Sequence, residues 1–506
     1  MAWALDLTST TFMLIQNPVL LSVLLIGTVL ILCRLGRRIG YPLPPGPDNG
    51  RLFPRKSINL FKSWQEFEEL TDTYGPVCCL RTWSGTIVVI GRLQAAMEIM
   101  ESQGASLVDR PKSIAAGEIL SHNMRILVMS YGKRFQRFRK ALHTHLQPSA
   151  VPAYEPLQTR NARELILDIL ADPDNHLEHV KRFAVSFILC LTYGKRISTS
   201  LKDPHILGIQ RTLQRMSMAS QPGAFFVDYH RLLSYIPAFT KKLHVWHQEE
   251  LSLYRSHLFA VEEAMKTPNC PPSFGRFLIE NKQCHGLNDD EMAYLAGSMF
   301  GAGSETTANS LGFIIMAAAC FPDAQKEVQE ELDRVVGRDL PPTFEHRKLL
   351  PKVSAFVLEV LRWRAVSGTG FAHVATKDIV WNGYCIPEGS TVIGNHWSIC
   401  RDPEAFPDPG EFQLNRWLDK DDQLIEDKNT LLFGFGRRVC PGQYVANRSL
   451  FIATAFLLWA FQISQNSKSS IDTTPIPGAV GIKPKPFLAQ YEPRIDQLEE
   501  LPCQIG

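Results

Sequence analysis

Hydrophobic and polar positions change rhythm several times along the chain. The first texture is an apolar run, FMLIQNPVLLSVLLIGTVLILC over residues 12–33, with no charged residue in it. Such a run is long enough to cross a hydrocarbon core of about 30 Å, so one spanning helix is predicted. Asp6 is the only charge before it, and Arg34, Arg37 and Arg38 follow at once, which places the downstream chain on the cytoplasmic side. A basic leader and a small-residue cleavage site are missing, favouring an anchor over a cleaved signal peptide. The prolines of YPLPPGP, residues 41–47, then stop helix continuation and predict a stiff hinge.

Helical and extended rhythms share the rest. VCCLRTW (77–83) and TIVVIG (86–91) flank the turn SG and predict a hairpin, and a second β-rich patch is predicted over 378–392, where IVWNGYCI and STVIG lie on either side of PEG. The strongest helix signal opens at Asn288 or Asp289, with Glu291 placed for a capping box, and runs until Pro322. Gly297, Gly301 and Gly303 weaken it by about 1 kcal/mol each relative to alanine. Either a flat ligand approaches closely there or neighbouring helices do. Ser304, Thr306 and Thr307 are placed to compete for backbone hydrogen bonds near a local kink. Ala324, Val328, Leu332 and Val335 then mark an amphipathic surface helix. LPKVSAFVLEVLRWR (350–364) is apolar enough to be buried, so Glu359 and Arg362, three apart, need partners that an exposed ion pair would not, and Arg416 is the expected third.

No repeat or low-complexity linker divides residues 50–500. The expected organisation is a lumenal N-terminus (1–11), an anchor (12–33), a basic and proline-rich hinge (34–49) and one large cytoplasmic domain (50–506). Composition narrows the function classes: 45% hydrophobic and 21% charged residues with net charge +2 and no basic run give nucleic acid no footprint. The 11 cysteines are scattered without a CxxC pair or zinc spacing, which fits a reducing compartment.

One of those cysteines stands apart. In FGFGRRVCPG (433–442), Gly434, Gly436 and Gly442 remove side chains where something must approach closely, and Arg437 and Arg438 favour a thiolate at Cys440. On residue types alone that sulfur could be a nucleophile, a zinc ligand or the axial ligand of an iron porphyrin.

Taken together, the anchor and proline hinge, AGSETT (302–307), EVLR (359–362), FQLNRW (412–417) and FGFGRRVCPG resemble the cytochrome P-450 family of haem-thiolate monooxygenases, in its membrane-anchored microsomal form. The resemblance covers essentially the whole chain. It implies a mainly α fold with small β-sheets, a single haem domain behind one transmembrane helix, and a place in the endoplasmic reticulum membrane. The cofactor implied is haem b, with Cys440 as axial thiolate. Phe433 would pack by the sulfur, and Arg438, Arg139 and His373 would meet the haem propionates. Thr306 and Glu305 would form the alcohol and acid pair that handles protons, and Glu359, Arg362 and Arg416 would form a structural triad. Substrate contacts would come from Ile114, Phe225, Phe226, Met299, Ala302, Thr369, Phe371 and Val480. Most of these are apolar, so a lipophilic substrate is expected, and the general texture is similar to fungal relatives that oxidise terpenoids and other secondary metabolites. No flavin or nicotinamide fingerprint is present, so electrons would come from NADPH through a separate membrane-bound flavoprotein reductase. Lys133, Arg137 and Lys140, on one helix face, suit such a partner. The chain departs from the family pattern where Phe135 replaces the tryptophan of WxxxR, where Leu414 and Asn415 replace Pro-Glu, and at Ala365. A haem-thiolate isomerase or dehydratase that uses no dioxygen is the alternative, and the intact AGSETT speaks against it.

Overall fold

The computed structural model describes residues 22, 40–47, 64–82, 85–195, 203–221, 223–425, 432–466, 470–496 and 498–500. Its centre is the helix Asp289–Cys320. Asn288 caps it: its Oδ1 accepts from Glu291 N at 2.9 Å, while Glu291 Oε2 accepts from Asn288 N at 3.1 Å, the reciprocal arrangement that the sequence anticipates. Pro322 begins the next helix, Pro322–Val335, and so ends this one. Most of the long helix has hydrophobic neighbours. Its C-terminal half packs with Glu155–Ala171, His176–Tyr193, Pro351–Trp363 and Gln443–Ala460, and its N-terminal half with Lys133–Leu146 and Pro237–Ala264.

That packing decides between the two readings of the glycines. A Cβ on Gly297 would lie 2.3 Å from the Tyr254 ring, one on Gly301 2.9 Å from Leu213, and one on Gly303 2.7 Å from Ile188. These positions are small because neighbouring helices press on them, and the flat-ligand explanation is corrected there. The helix runs unbroken past Thr306, and the hydroxyls of Ser304, Thr306 and Ser310 bond back to its carbonyls, the competition expected there.

The sheets are small. β1 (Val77–Thr82) and β2 (Gly85–Ile90) form the expected antiparallel hairpin. The second β-rich patch divides into a hairpin, Ile379–Trp381 with Tyr384–Ile386, and a strand, Thr391–Gly394, that joins β2 in parallel and His373–Val374 antiparallel. Another short hairpin, Ile476–Pro477 with Ile482–Lys483, reaches back to the long helix. The hinge prolines lie along the sheets: Pro45 O accepts from Cys79 N and Pro42 O from Cys385 N, both at 2.8 Å. Among the described residues no helix is long and apolar enough to cross a membrane. The expected anchor, 12–33, lies outside the described residues apart from Ser22. All nine described cysteines are free thiols.

Candidate active site

The loop before Gln443–Ala460 is shaped by its glycines. Gly434 (φ +91) and Gly436 (φ +56) take left-handed conformations, and a Cβ on Gly436 would meet Met100 O and Gly104 Cα at 3.0 and 3.1 Å. Cys440 N donates to Phe433 O at 2.9 Å, closing the loop. The Cys440 sulfur therefore sits at the start of an 18-residue helix, with the N–H groups of Gly442 and Gln443 directed at it. Burial pushes the thiol upward, while those two donors and the Arg139 guanidinium favour the thiolate. A metal cation against the sulfur would supply the charge that tips the balance.

Cationic groups gather beside this loop. Arg438 donates from Nε to Val108 O (2.7 Å), from Nη2 to Met129 O (2.8 Å) and from Nη1 to Ile126 O (3.3 Å). Its guanidinium lies 3.8 Å from the centre of the Phe135 ring, so the ring that replaces the family's indole stacks on the arginine. Arg139 Nη2 donates to Val439 O at 2.5 Å, and His373 Nδ1 to Leu107 O at 2.6 Å. Arg110 is a member that sequence reasoning missed. Its Nη1 donates to Phe371 O and Ala372 O at 2.9 and 2.7 Å, and its buried Nε has no hydrogen-bond partner. Burial and the neighbouring Arg438 charge bring Arg110 down to about 9; burial brings Arg438 to about 10; burial and Arg110 bring His373 to about 3. Asp109 is the carboxylate that both arginines feel. A buried cluster this short of negative charge fits a ligand carrying carboxylates, and an adjoining sulfur fits a metal. Haem, with two propionates and an iron, satisfies both.

On the long helix Ala302 is exposed between buried Gly301 and Ser304, so this face of the helix is left open. Thr306 lies one turn on, its Oγ1 donating to Ala302 O at 2.8 Å and keeping its lone pairs for a donor on the open side. Glu305 turns elsewhere. Its Oε1 accepts from Ala479 N at 2.9 Å, the Val480 N–H also reaches the carboxylate, and burial raises its pKa.

Glu359, Arg362 and Arg416 come together behind the site. Arg362 grips Glu359 through Nε and Nη2 at 2.8 and 2.7 Å with both side chains fully buried, and Arg416 Nε lies 3.4 Å from Glu359 Oε1. Trp417 Nε1 and Gln413 N, which the sequence did not point to, complete the carboxylate at 2.9 Å each.

The expected substrate contacts are less uniform. Ile114 opens a short helix, Ile114–Leu120, and Phe225 packs edge-on to Trp246 nearby. Met299 and Thr369 are buried, and Phe371 lies beside Arg110. Phe226 is corrected: it is 64% exposed, because the chain turns it outward where Val227 turns in.

The family model for cytochrome P-450 matches residues 42–491. Cytochrome P-450 monooxygenase 64 of Postia placenta is 46% identical over 490 residues, covering 97% of this chain and 99% of its own. A cytochrome P-450 monooxygenase of Armillaria gallica is 36% identical over 479 residues, covering 91% of this chain and 92% of its own. Among solved structures, a zebra fish cytochrome P-450 with progesterone shares the fold at TM-score 0.71 and 23% identity, over 85% of this chain and 99% of that one. Relatives alike from end to end, carrying the same fold, lead to one conclusion: the chain belongs to the cytochrome P-450 family, oxidoreductases of the monooxygenase type that hold haem through a cysteine thiolate.

Proposed function

We propose that this protein inserts one oxygen atom from dioxygen into a lipophilic small molecule, with Cys440 as the haem ligand and Arg110, Arg139, Arg438 and His373 receiving the propionates. The observation that carries this reading is the Cys440 sulfur at a helix start, under two backbone N–H groups and beside a cationic cluster with too few carboxylates. Bound there, haem supplies the activation of dioxygen. The chain's part is to hold the sulfur, to limit water, and to present Thr306 and Glu305 as proton-handling groups.

A terpenoid or another secondary metabolite of a fungal pathway is the proposed substrate class, supported by the apolar character of Ile114, Phe225, Met299, Ala302 and Phe371. A membrane site, the endoplasmic reticulum, is supported by the apolar run over 12–33 and by a second feature. Phe226, Tyr229, Leu232, Tyr235, Ile236 and Phe239 are all exposed along one short stretch, a greasy surface that suits lipid. NADPH would feed electrons through a flavoprotein reductase. Lys133, Arg137 and Lys140 are exposed on the helix Lys133–Leu146, where such a partner could dock. Reversing Lys133 and Lys140 should slow haem reduction and leave substrate affinity alone; unchanged reduction kinetics would remove the docking surface.

The deciding experiment uses the full chain with reductase, NADPH, candidate lipids and labelled dioxygen. Label in the product is expected. Product without label would instead indicate an isomerase or dehydratase. Cys440→Ser should abolish turnover and the thiolate signature of the reduced, carbon-monoxide-bound protein, and survival of that signature would remove Cys440 from the iron.

A further inference from the structure

The helix acid of the proposed proton-handling pair does not hang free. Its carboxylate is gripped by the tip of the hairpin Ile476–Pro477 and Ile482–Lys483. Ala479 N donates to Glu305 Oε1 at 2.9 Å, and Val480 N adds a second donor. One turn along the helix, Asn309 Nδ2 donates to Ile482 O at 3.4 Å. The tip closes on itself through Gly478 N to Gly481 O at 2.8 Å. It is also fixed to the chain before Thr369 and Phe371: Ile482 N donates to Val366 O at 2.7 Å, and Gly481, at φ +79, lies so close that a Cβ would meet Val366 O at 1.9 Å.

We infer that the hairpin tip, residues 478–481, is a positioning element for Glu305, so that the backbone of the substrate-contacting residue Val480 sets the direction of the acid and links substrate fit to proton handling. The inference rests on the proposed role of Glu305 and on the expected contact of Val480 with substrate. Three connections converge on this hairpin: the acid at its tip, Asn309 at Ile482, and the Val366 carbonyl. A substrate that displaces Val480 must move the two donors on Glu305 with it. The carboxylate is largely enclosed, and Lys483 and Lys181 are cations that it feels. A poorly fitting substrate would therefore waste electrons. In the productive reaction, substrate, dioxygen, NADPH and a proton give the oxygenated product, water and the oxidised nicotinamide. In the unproductive one, dioxygen, NADPH and a proton give hydrogen peroxide and the oxidised nicotinamide.

Gly478 provides a test that leaves both the acid and the substrate-contacting side chains in place. A Cβ there would stand 3.0 Å from Glu305 Oε1, tight enough to push the carboxylate, and otherwise in ordinary contact with Gly481 O and Asn309 Nδ2 at 3.5 and 3.7 Å. In Gly478→Ala, product formed per NADPH should fall on the order of tenfold with a matching rise in peroxide. Haem content and the substrate-induced shift of the haem spectrum should stay as in the parent. Amide hydrogen exchange at Ala479 and Val480 should quicken in Gly478→Ala and in Glu305→Ala, and stay slow in Glu305→Gln, whose amide oxygen still accepts. Unchanged coupling in Gly478→Ala together with low coupling in Glu305→Gln would overturn the inference and leave the acid's role standing. Normal coupling in Glu305→Gln would overturn that role itself. Unaltered exchange at Ala479 and Val480 in Glu305→Ala would overturn the grip, even if Gly478→Ala failed to fold.

Discussion

Arg110 shows what a single residue can and cannot announce. Its sequence surroundings, VDRPKS, offer an acid–base pair before a proline and nothing more. Its importance comes from the carbonyls of Phe371 and Ala372, which a distant segment brings to its Nη1. Cys440 is the opposite case, because its loop needs glycine at φ values that other residues resist, and glycines are visible in any sequence. Arg110→Leu should speed haem transfer to a scavenger protein severalfold, and Arg110→Lys should restore part of the retention; equal retention in all three would remove Arg110 from the propionate set. Glu359→Ala belongs to the same scale. It leaves Arg362 enclosed with no counter-charge, a loss of about 3–5 kcal/mol, and should show as a lowered unfolding midpoint or as protein that cannot be recovered with haem. The pair was legible from its spacing on an apolar helix, whereas Trp417 and Gln413 as further donors were not, since neither residue type implies a carboxylate nearby.

Elements were legible where their local signals agreed. The capped long helix, the buried helix with Glu359 and the hairpin β1–β2 follow from periodicity, caps and turn residues acting together. Reasons were harder to read than extents, because the glycines of the long helix answer to Tyr254, Leu213 and Ile188, each remote in sequence. The helix Ile114–Leu120 gave no periodic signal, being short and wound as a π-helix. It is secured from outside itself. Asp228 Oδ1 accepts from Ile114 N, Ala115 N and Ser113 Oγ at 2.7, 3.0 and 3.2 Å, and Arg231 grips Glu118 through both terminal nitrogens at 3.2 and 3.1 Å. Asp228→Ala should cost about 1–2 kcal/mol and raise amide exchange at Ile114 and Ala115 before the rest of the domain responds. Uniform exchange across the domain would show that the cap is not a local tie.

For the whole molecule, buried histidines set an acid limit. His396 and His145 are brought down by burial to about 4, against 6.5 in an open chain. Between those values the unfolded chain binds more protons than the folded one, so stability falls as pH falls through that window. For the fully enclosed His396 the loss reaches on the order of 2 kcal/mol near pH 5. Unfolding midpoints should therefore drop between about pH 7 and pH 5, and His145→Phe should flatten that slope; an unchanged slope would place the acid sensitivity elsewhere.

The hydrogen bonds made by the carbonyls of Pro42 and Pro45 bear on where this polypeptide can be shortened. Everything before residue 40 could be removed without disturbing the main-chain partners of Cys79 and Cys385. Resuming instead at residue 48 would strip a covering ribbon from two strands and leave their amides facing solvent. Soluble versions should begin ahead of the prolines, and a later start should yield a domain that self-associates through its bared sheet edges.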